Sequence, residues 1–218
     1  MSNKHLSRLL AKLFCKIHSF AYAQLGYFAT NAEPDLLHPK HRLTKYHQFF
    51  VDHIHKKDCI LDVGCGNGAL SFSLAKKAKK VIGIDINRAN IESAQKQFQR
   101  KNLQFMTGDI TKKVFSGQFD VIVLSNVLEH IKNRNELLQS LTRNSKKILI
   151  RVPQYDRSWD VLYKQELGLD YRLDPTHELE YTYELLEHEV NDAQLKIVER
   201  HIKFGEFWIV CEFYGKNK

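Results

Sequence analysis

Residues 59 to 68 read Cys59-Ile60-Leu61-Asp62-Val63-Gly64-Cys65-Gly66-Asn67-Gly68. The first five form a short buried strand. Three glycines at alternate positions then make a turn that opens a helix over Ala69 to Ala78. Glycine there lets the backbone bend sharply and lets a ligand lie directly against it. A second strand, Val81-Ile82-Gly83-Ile84-Asp85, ends in an acid 17 positions after Gly68 (85 − 68). A carboxylate at the tip of a second strand can accept hydrogen bonds from both hydroxyls of a ribose. The pattern describes a nucleoside-containing cofactor held at the carboxyl ends of parallel strands.

Two cofactors compete at this point. Gly64, Gly66 and Ala69 satisfy the loose dinucleotide pattern G-x-G-x-x-G/A, so the turn alone admits a nicotinamide or flavin. Asp62 tips the balance. A carboxylate two residues before the turn repels a pyrophosphate and attracts a cationic sulfonium or ammonium. The full string Asp62-x-Gly64-x-Gly66-x-Gly68 resembles motif I of the class I S-adenosylmethionine-dependent methyltransferases. Leu103-Gln104-Phe105-Met106-Thr107-Gly108-Asp109-Ile110 resembles their third-strand motif. Phe119 to His130, ending Ser125-Asn126-Val127-Leu128-Glu129-His130, resembles motif IV of small bacterial members, and Ile148 to Val152, broken at Pro153, resembles the fifth strand. The resemblance covers about residues 38 to 213.

That resemblance implies a fold and a site. The fold is α/β: a doubly wound, seven-stranded, mostly parallel Rossmann-like sheet of order 3-2-1-4-5-7-6 with an N-terminal helical cap. The cofactor is S-adenosylmethionine. Its expected binding residues are Asp62, Gly64, Cys65, Gly66, Asn67, Gly68, Asp85, Ile86, Asp109, Ile110 and Asn126. Asp109 is the acid expected to meet the adenine amino group, and Ile110 the apolar residue packed on the ring. Methyl transfer from a sulfonium is a one-step displacement. The protein therefore has to align the reacting groups and, for an oxygen or nitrogen acceptor, remove a proton.

Glu129-His130 follows the fourth strand directly, and His177 lies in Asp174-Pro175-Thr176-His177, a segment resembling the Thr-His pair that closes over the substrate. His130 or His177 can serve as general base, because an imidazole titrates near neutrality. Alternatively, Glu129, His130 and His177 can bind a divalent cation, as ubiquinone-biosynthesis O-methyltransferases and small-RNA 3′-end methyltransferases do with Glu-x-x-Glu-His and a later His. Asn126 stands where the first Glu of that pattern would be, so no metal is expected. The catalytic assignment is His130, His177 and Glu129.

The 218 residues suit one α/β domain: a cap over 1–38, a cofactor-binding core over 39–152, a substrate-side insertion over 153–180 and a C-terminal helix and edge hairpin over 181–218. Four scattered cysteines without metal or disulfide spacing, no signal-peptide layout and no membrane-length apolar run lead to a cytoplasmic expectation. The formal charge of +8 is spread over lysine pairs at helix ends and strand starts. No stacked-aromatic RNA signature accompanies it, so nucleic acid is not the expected partner. The expected acceptor is a small molecule, a glycan or a lipid-linked intermediate. RNA or protein methylation, and a non-catalytic module that binds cofactor or partner, remain as alternatives.

Residues 4 to 22 read as an amphipathic helix, with Lys4, Arg8, Lys12 and Lys16 on one stripe and Leu6, Leu10, Leu13 and Ile17 on another. Such a helix can cap the core, pair two protomers as a homodimer rather than a monomer, or make peripheral contact with an anionic membrane. Residues 26 to 39 read as a turn region, and a second helix is expected from Arg42 to Ile54, with His41, Arg42 and Tyr46 near the cofactor. The insertion is expected to be a long aromatic loop that offers Arg157 and Arg172 to an acidic acceptor. Trp208 is expected in the core.

Overall fold

The computed structural model describes residues 3–34, 37–112 and 117–215. Parts of the expected cap, of the turn region and of the C-terminal segment (1–2, 35–36 and 216–218) lie outside them. Helix α1 spans Asn3–Ala32, followed by α2 (Lys40–Thr44) and α3 (Tyr46–Asp52). The alternating core is β1 (Cys59–Val63), α4 (Ala69–Ala75), β2 (Lys80–Asp85), α5 (Arg88–Gln97), β3 (Leu103–Thr107) and β4 (Val121–Ser125). A 3-10 turn, Leu128–His130, leads to α6 (Arg134–Leu141), β5 (Lys147–Pro153) and α7 (Trp159–Glu166). The chain closes with α8 (Tyr183–Asp192), β6 (Leu195–Lys203) and β7 (Glu206–Phe213).

The seven strands form one sheet of order β3-β2-β1-β4-β5-β7-β6, as the resemblance implies. The first five strands pair in parallel, and β7 runs antiparallel to both β5 and β6. Parallel strands covered on both faces read as unbroken apolar runs. Val121 to Leu124 of β4 are accordingly all at most 1% exposed. One apolar cluster joins the sheet to Leu137, Leu138 and Leu141 of α6 and Leu186 and Val190 of α8. The other joins it to Phe49 and Phe50 of α3 and Leu70 and Leu74 of α4. Trp208 belongs to this second cluster, so it is core.

Three local readings are corrected. The first helix does not stop near Gly26 but runs to Ala32. An isolated glycine costs a helix only about 1 kcal/mol, whereas Pro34 disfavours helical backbone in the residue before it. The helix expected over 42–54 is broken at Lys45, whose φ of 54° is left-handed. The break reorients α3 so that Tyr46, Phe49 and Phe50 are all buried. The insertion is not a structureless loop, because α7 occupies its middle. Arg157 faces inward, pairing with Glu180 and donating to the Tyr171 carbonyl, while Arg172, partly exposed, pairs with the exposed Asp170 and donates to the His177 carbonyl. They brace the segment rather than offer charge to an acceptor.

Candidate active site

Strand β1 lies between β2 and β4, where the chain switches direction along the sheet. Loops leaving neighbouring strands part at such a point and leave a crevice. Here the crevice is a cleft of about 350 Å³. Its walls include Gly64 after β1, Asp85 and Ile86 after β2, Gly108, Asp109 and Ile110 after β3, and Asn126, Val127, His130 and Ile131 after β4. A larger opening beside β3, lined by Gln95, Phe98, Arg100 and Phe105, contains none of the expected site residues.

The turn is held by its own backbone and by Asp85. The Cys65 amide donates to the Ile84 carbonyl at 3.1 Å, and the Gly68 amide donates to the Cys65 carbonyl at 3.0 Å. Asp85 Oδ2 accepts from the Gly66 amide at 2.9 Å, and Oδ1 accepts from the Asn87 amide at 2.8 Å. Each carboxylate oxygen keeps a further lone pair for a ribose hydroxyl. Glycine is required at two of these positions by packing as well as by φ. A Cβ on Gly64 would stand 2.6 Å from Val127 Cγ2, and one on Gly68 would stand 2.6 Å from the Phe105 ring. Ile86 is 70% exposed on the cleft wall, an apolar surface suited to cover by a ring.

Six of the expected cofactor residues wall the cleft: Gly64, Asp85, Ile86, Asp109, Ile110 and Asn126. Cys65, Gly66, Asn67 and Gly68 are not among its walls and shape the turn from behind. Asn67 does so by accepting from the Ala69 amide at 3.3 Å. Asp62 is a correction. It is 1% exposed and accepts a 2.5 Å hydrogen bond from Ser71 on α4. Burial pushes its pKa up to about 7, with the Ser71 hydrogen bond opposing and Asp85 adding to the rise. It ties β1 to α4 rather than presenting a charge to the cleft. Tyr46 is also buried outside the cleft walls, its hydroxyl 2.7 Å from His41 Nδ1, and Arg42 pairs with Glu33.

At the other end of the cleft the three expected catalytic residues come together. The His130 and His177 rings meet edge to face at 4.6 Å. One ligand-type atom from each of Glu129, His130 and His177 lies within 4.8 Å of the others. Glu129 is fully buried, and neither carboxylate oxygen has a hydrogen-bond partner among the described residues. Burial pushes its pKa up to about 8 against its own backbone amide, the Arg151 guanidinium and the Asn126 side chain, so at neutral pH it is a neutral acid. His177, 5% exposed, has its pKa lowered to about 4 by burial and by His130, and is a neutral imidazole. Its Nδ1 stands 3.4 Å from Glu180 Oε1 without hydrogen-bond geometry.

His130 carries an orienting contact that residue types alone did not single out. Thr176 Oγ1 lies 3.0 Å from His130 Nδ1 and donates its single proton to Asp174 Oδ1 at 2.6 Å. The hydroxyl can then only accept from the ring, so His130 carries its proton on Nδ1 and keeps Nε2 free as a base or ligand. Burial works against the Asp174 charge, but the Thr176 hydroxyl and amide and the two histidines outweigh it and hold its pKa below the usual carboxylate value. The signal for this device was the Asp-Pro-Thr turn, in which Asp174 also accepts from the Thr176 amide at 2.8 Å.

A glycine turn after β1, an acid ending β2 and a cleft at the sheet's switch point define a class I S-adenosylmethionine-dependent methyltransferase domain. The chain belongs to the family described as methyltransferase domain, whose model matches residues 54–197. Among curated proteins it is similar to a ubiquinone biosynthesis O-methyltransferase of Psychrobacter cryohalolentis, 36% identical over 78 residues, covering 33% of this chain and 30% of the relative. It is also similar to a cypemycin N-terminal methyltransferase of a Streptomyces species, 29% identical over 91 residues, covering 40% of this chain and 37% of the relative. The chain thus spans under half the length of these relatives. Among solved structures it resembles magnesium protoporphyrin IX methyltransferase of Synechocystis with bound S-adenosylhomocysteine, with TM-score 0.65, 17% identity and 80% of this chain and 83% of that one covered. A Clostridium acetobutylicum S-adenosylmethionine-dependent methyltransferase matches with TM-score 0.64, 14% identity, and 91% and 99% covered. S-adenosylmethionine is the cofactor of this class of domain, and the walls fit it. Asp85 has lone pairs to spare, Ile86 offers a bare apolar face, and no side chain projects from the turn at Gly64.

Proposed function

We propose that this protein transfers a methyl group from S-adenosylmethionine to an oxygen or nitrogen of a small-molecule, glycan or lipid-linked acceptor. The observation that carries the reading is the junction of two half-sites in one cleft. The glycine turn with Asp85 and Ile86 lies at one end, and His130, with a fixed tautomer and a free Nε2, lines the other. When bound, the cofactor supplies a methyl group already activated on a sulfonium. Asp85 accepts from the ribose hydroxyls, Asp109 and Ile110 hold the base, and the Gly64 turn lets the backbone approach the ligand. His130 Nε2 takes the acceptor's proton as the new carbon–oxygen or carbon–nitrogen bond forms. Thr176 and Asp174 hold the ring in the tautomer that presents Nε2, and His177 packs against the ring.

A second reading of the same cluster is favoured by the bare carboxylate of Glu129. A divalent cation held by Glu129, His130 and His177 would satisfy buried oxygens, would find His177 neutral, as a ligand must be, and would displace the proton that Glu129 carries at neutral pH. Asn126 Oδ1, also without a partner, stands in the same loop. The chemistry such an ion supplies is acidification of a substrate hydroxyl.

Calorimetric titration with S-adenosylmethionine, S-adenosylhomocysteine and NAD tests the first reading. Micromolar binding of the two sulfur ligands, with none for NAD, supports it; binding of NAD alone overturns it. Titration of Mn²⁺ and Zn²⁺ into the protein and into Glu129→Gln tests the second. Binding that is equal in both proteins removes the ion from this cluster.

A further inference from the structure

We infer that α1 is a docking surface for an anionic lipid bilayer and lies along the membrane plane. The inference goes beyond the methyltransferase reading and does not depend on it. Helix α1 is 30 residues long and buries none of them. Leu6, Leu9, Leu10, Leu13, Phe14, Ile17 and Phe20 share one face at helical spacing, and each is between 44% and 67% exposed. Tyr27 and Phe28, each 63% exposed, prolong the same face. The flank that meets the body is a different one. Ala11 and Cys15 are half-buried there, and on the next turn His18 lies 3.5 Å from Lys164 and 3.7 Å from Asp160 on α7. The large apolar face is therefore turned away from the core it was expected to cap.

A stripe of this size calls for a nonaqueous partner. Charge identifies which. The arc opposite the apolar face carries Lys4, Arg8 and Lys12, with His5 and Lys16 at its edge, and no acid occurs between Asn3 and Ala32. Side chains so arranged sink the apolar face to the acyl boundary while lysine and arginine reach the lipid phosphates. A second copy of the helix fits poorly. Two apolar faces brought together would gain no ion pair at their edges, since neither helix carries a carboxylate. No described helix is long and apolar enough to cross a membrane, so the contact is along the surface. The attachment of α1 is to α7, in the insertion that also carries His177.

Cosedimentation of the full chain with vesicles tests this. Phosphatidylcholine vesicles containing about 30% phosphatidylglycerol are compared with phosphatidylcholine alone, at low and high salt. The expected result is at least about tenfold stronger partitioning to the anionic vesicles, weakened by salt. Two triple variants, Leu10→Ser/Phe14→Ser/Ile17→Ser and Arg8→Gln/Lys12→Gln/Lys16→Gln, should each lose about tenfold or more. Both should bind S-adenosylhomocysteine like the parent, which shows that they fold. Equal partitioning of parent and variants, or of anionic and neutral vesicles, overturns the inference. So does a lipid-free dimer in sedimentation equilibrium that the serine variant dissociates, since that assigns the face to a second copy. Vesicle binding and ligand calorimetry are separate readouts, so failure here leaves the methyltransferase reading standing.

Discussion

Thr176 and His130, 46 residues apart in the chain, are joined by a 3.0 Å contact between the threonine hydroxyl and His130 Nδ1. Because the hydroxyl proton is committed to Asp174, the contact selects one tautomer of the histidine. Thr176→Val removes the selection and keeps the shape. It is expected to lower kcat about tenfold, the equivalent of one hydrogen bond, with S-adenosylhomocysteine affinity unchanged. Steady-state kinetics beside calorimetry check this. An unchanged kcat would mean that the histidine does not act through Nε2.

Asp85 serves the turn and the ligand together, through its bond to the Gly66 amide and its spare lone pairs. Asp85→Ala should weaken S-adenosylmethionine binding by about 1–3 kcal/mol. Asp85→Asn, which can still accept, should recover part of the loss. Calorimetric affinities decide it, and unchanged binding in the alanine variant would remove the ribose assignment.

Gly64 sits against Val127 with a φ of +65°. Gly64→Ala brings a methyl group to 2.6 Å from Val127 Cγ2 and strains the backbone as well. A loss of about 1–3 kcal/mol is expected from the overpacking and about 1 kcal/mol more from the backbone. Adding Val127→Ala relieves only the first part. Thermal melts of the two variants separate the two contributions, and no rescue by Val127→Ala would show that the clash is absorbed elsewhere.

Glu129 gives stability a pH dependence of known sign. Its pKa rises from the ordinary 4.5 to about 8 in the folded chain. The buried neutral acid is fully favourable below pH 4.5, and its contribution is lost as pH rises through 8, because the unfolded chain ionises first. Glu129→Gln does not titrate. The variant should therefore gain on the parent between those limits, at about 1.4 kcal/mol for each pH unit climbed, which reaches a few kcal/mol at the upper end. Denaturant melts across that range test it. A constant difference would mean that Glu129 is already charged or paired.

Lys45 stands in left-handed backbone between α2 and α3, a conformation that glycine adopts without cost. Lys45→Gly should stabilise by about 1 kcal/mol, raising Tm by about 3 °C. An unchanged or lower Tm would show that the lysine side chain compensates for its backbone.

Much of the scaffold was legible in the chain because its signals are local. Val121 to Leu124 are apolar at every position since both faces of β4 are covered. The glycines after Val63 and the acid at Asp85 mark strand ends that must stay open to a ligand. Those features point to parallel strands and a ligand turn, while the strand order and the grouping of Glu129, His130 and His177 followed from the family resemblance. Helix ends were less legible: Gly26 resembles a stop, yet Pro34 sets the boundary, and no residue type announces the reversal at Lys45.

What the sequence by itself determined is the layered sheet, the turn and the kinds of side chain at its rim, since each depends on periodicity and on residues adjacent in the chain. Tertiary structure alone decided how those side chains are used. It buried Asp62 against Ser71, enclosed Glu129 beside His130 and His177, turned Arg157 inward to Glu180, and faced the apolar side of α1 outward. Charge state and availability depend on the groups packed around a side chain from distant segments, and those neighbours exist only once the chain is folded.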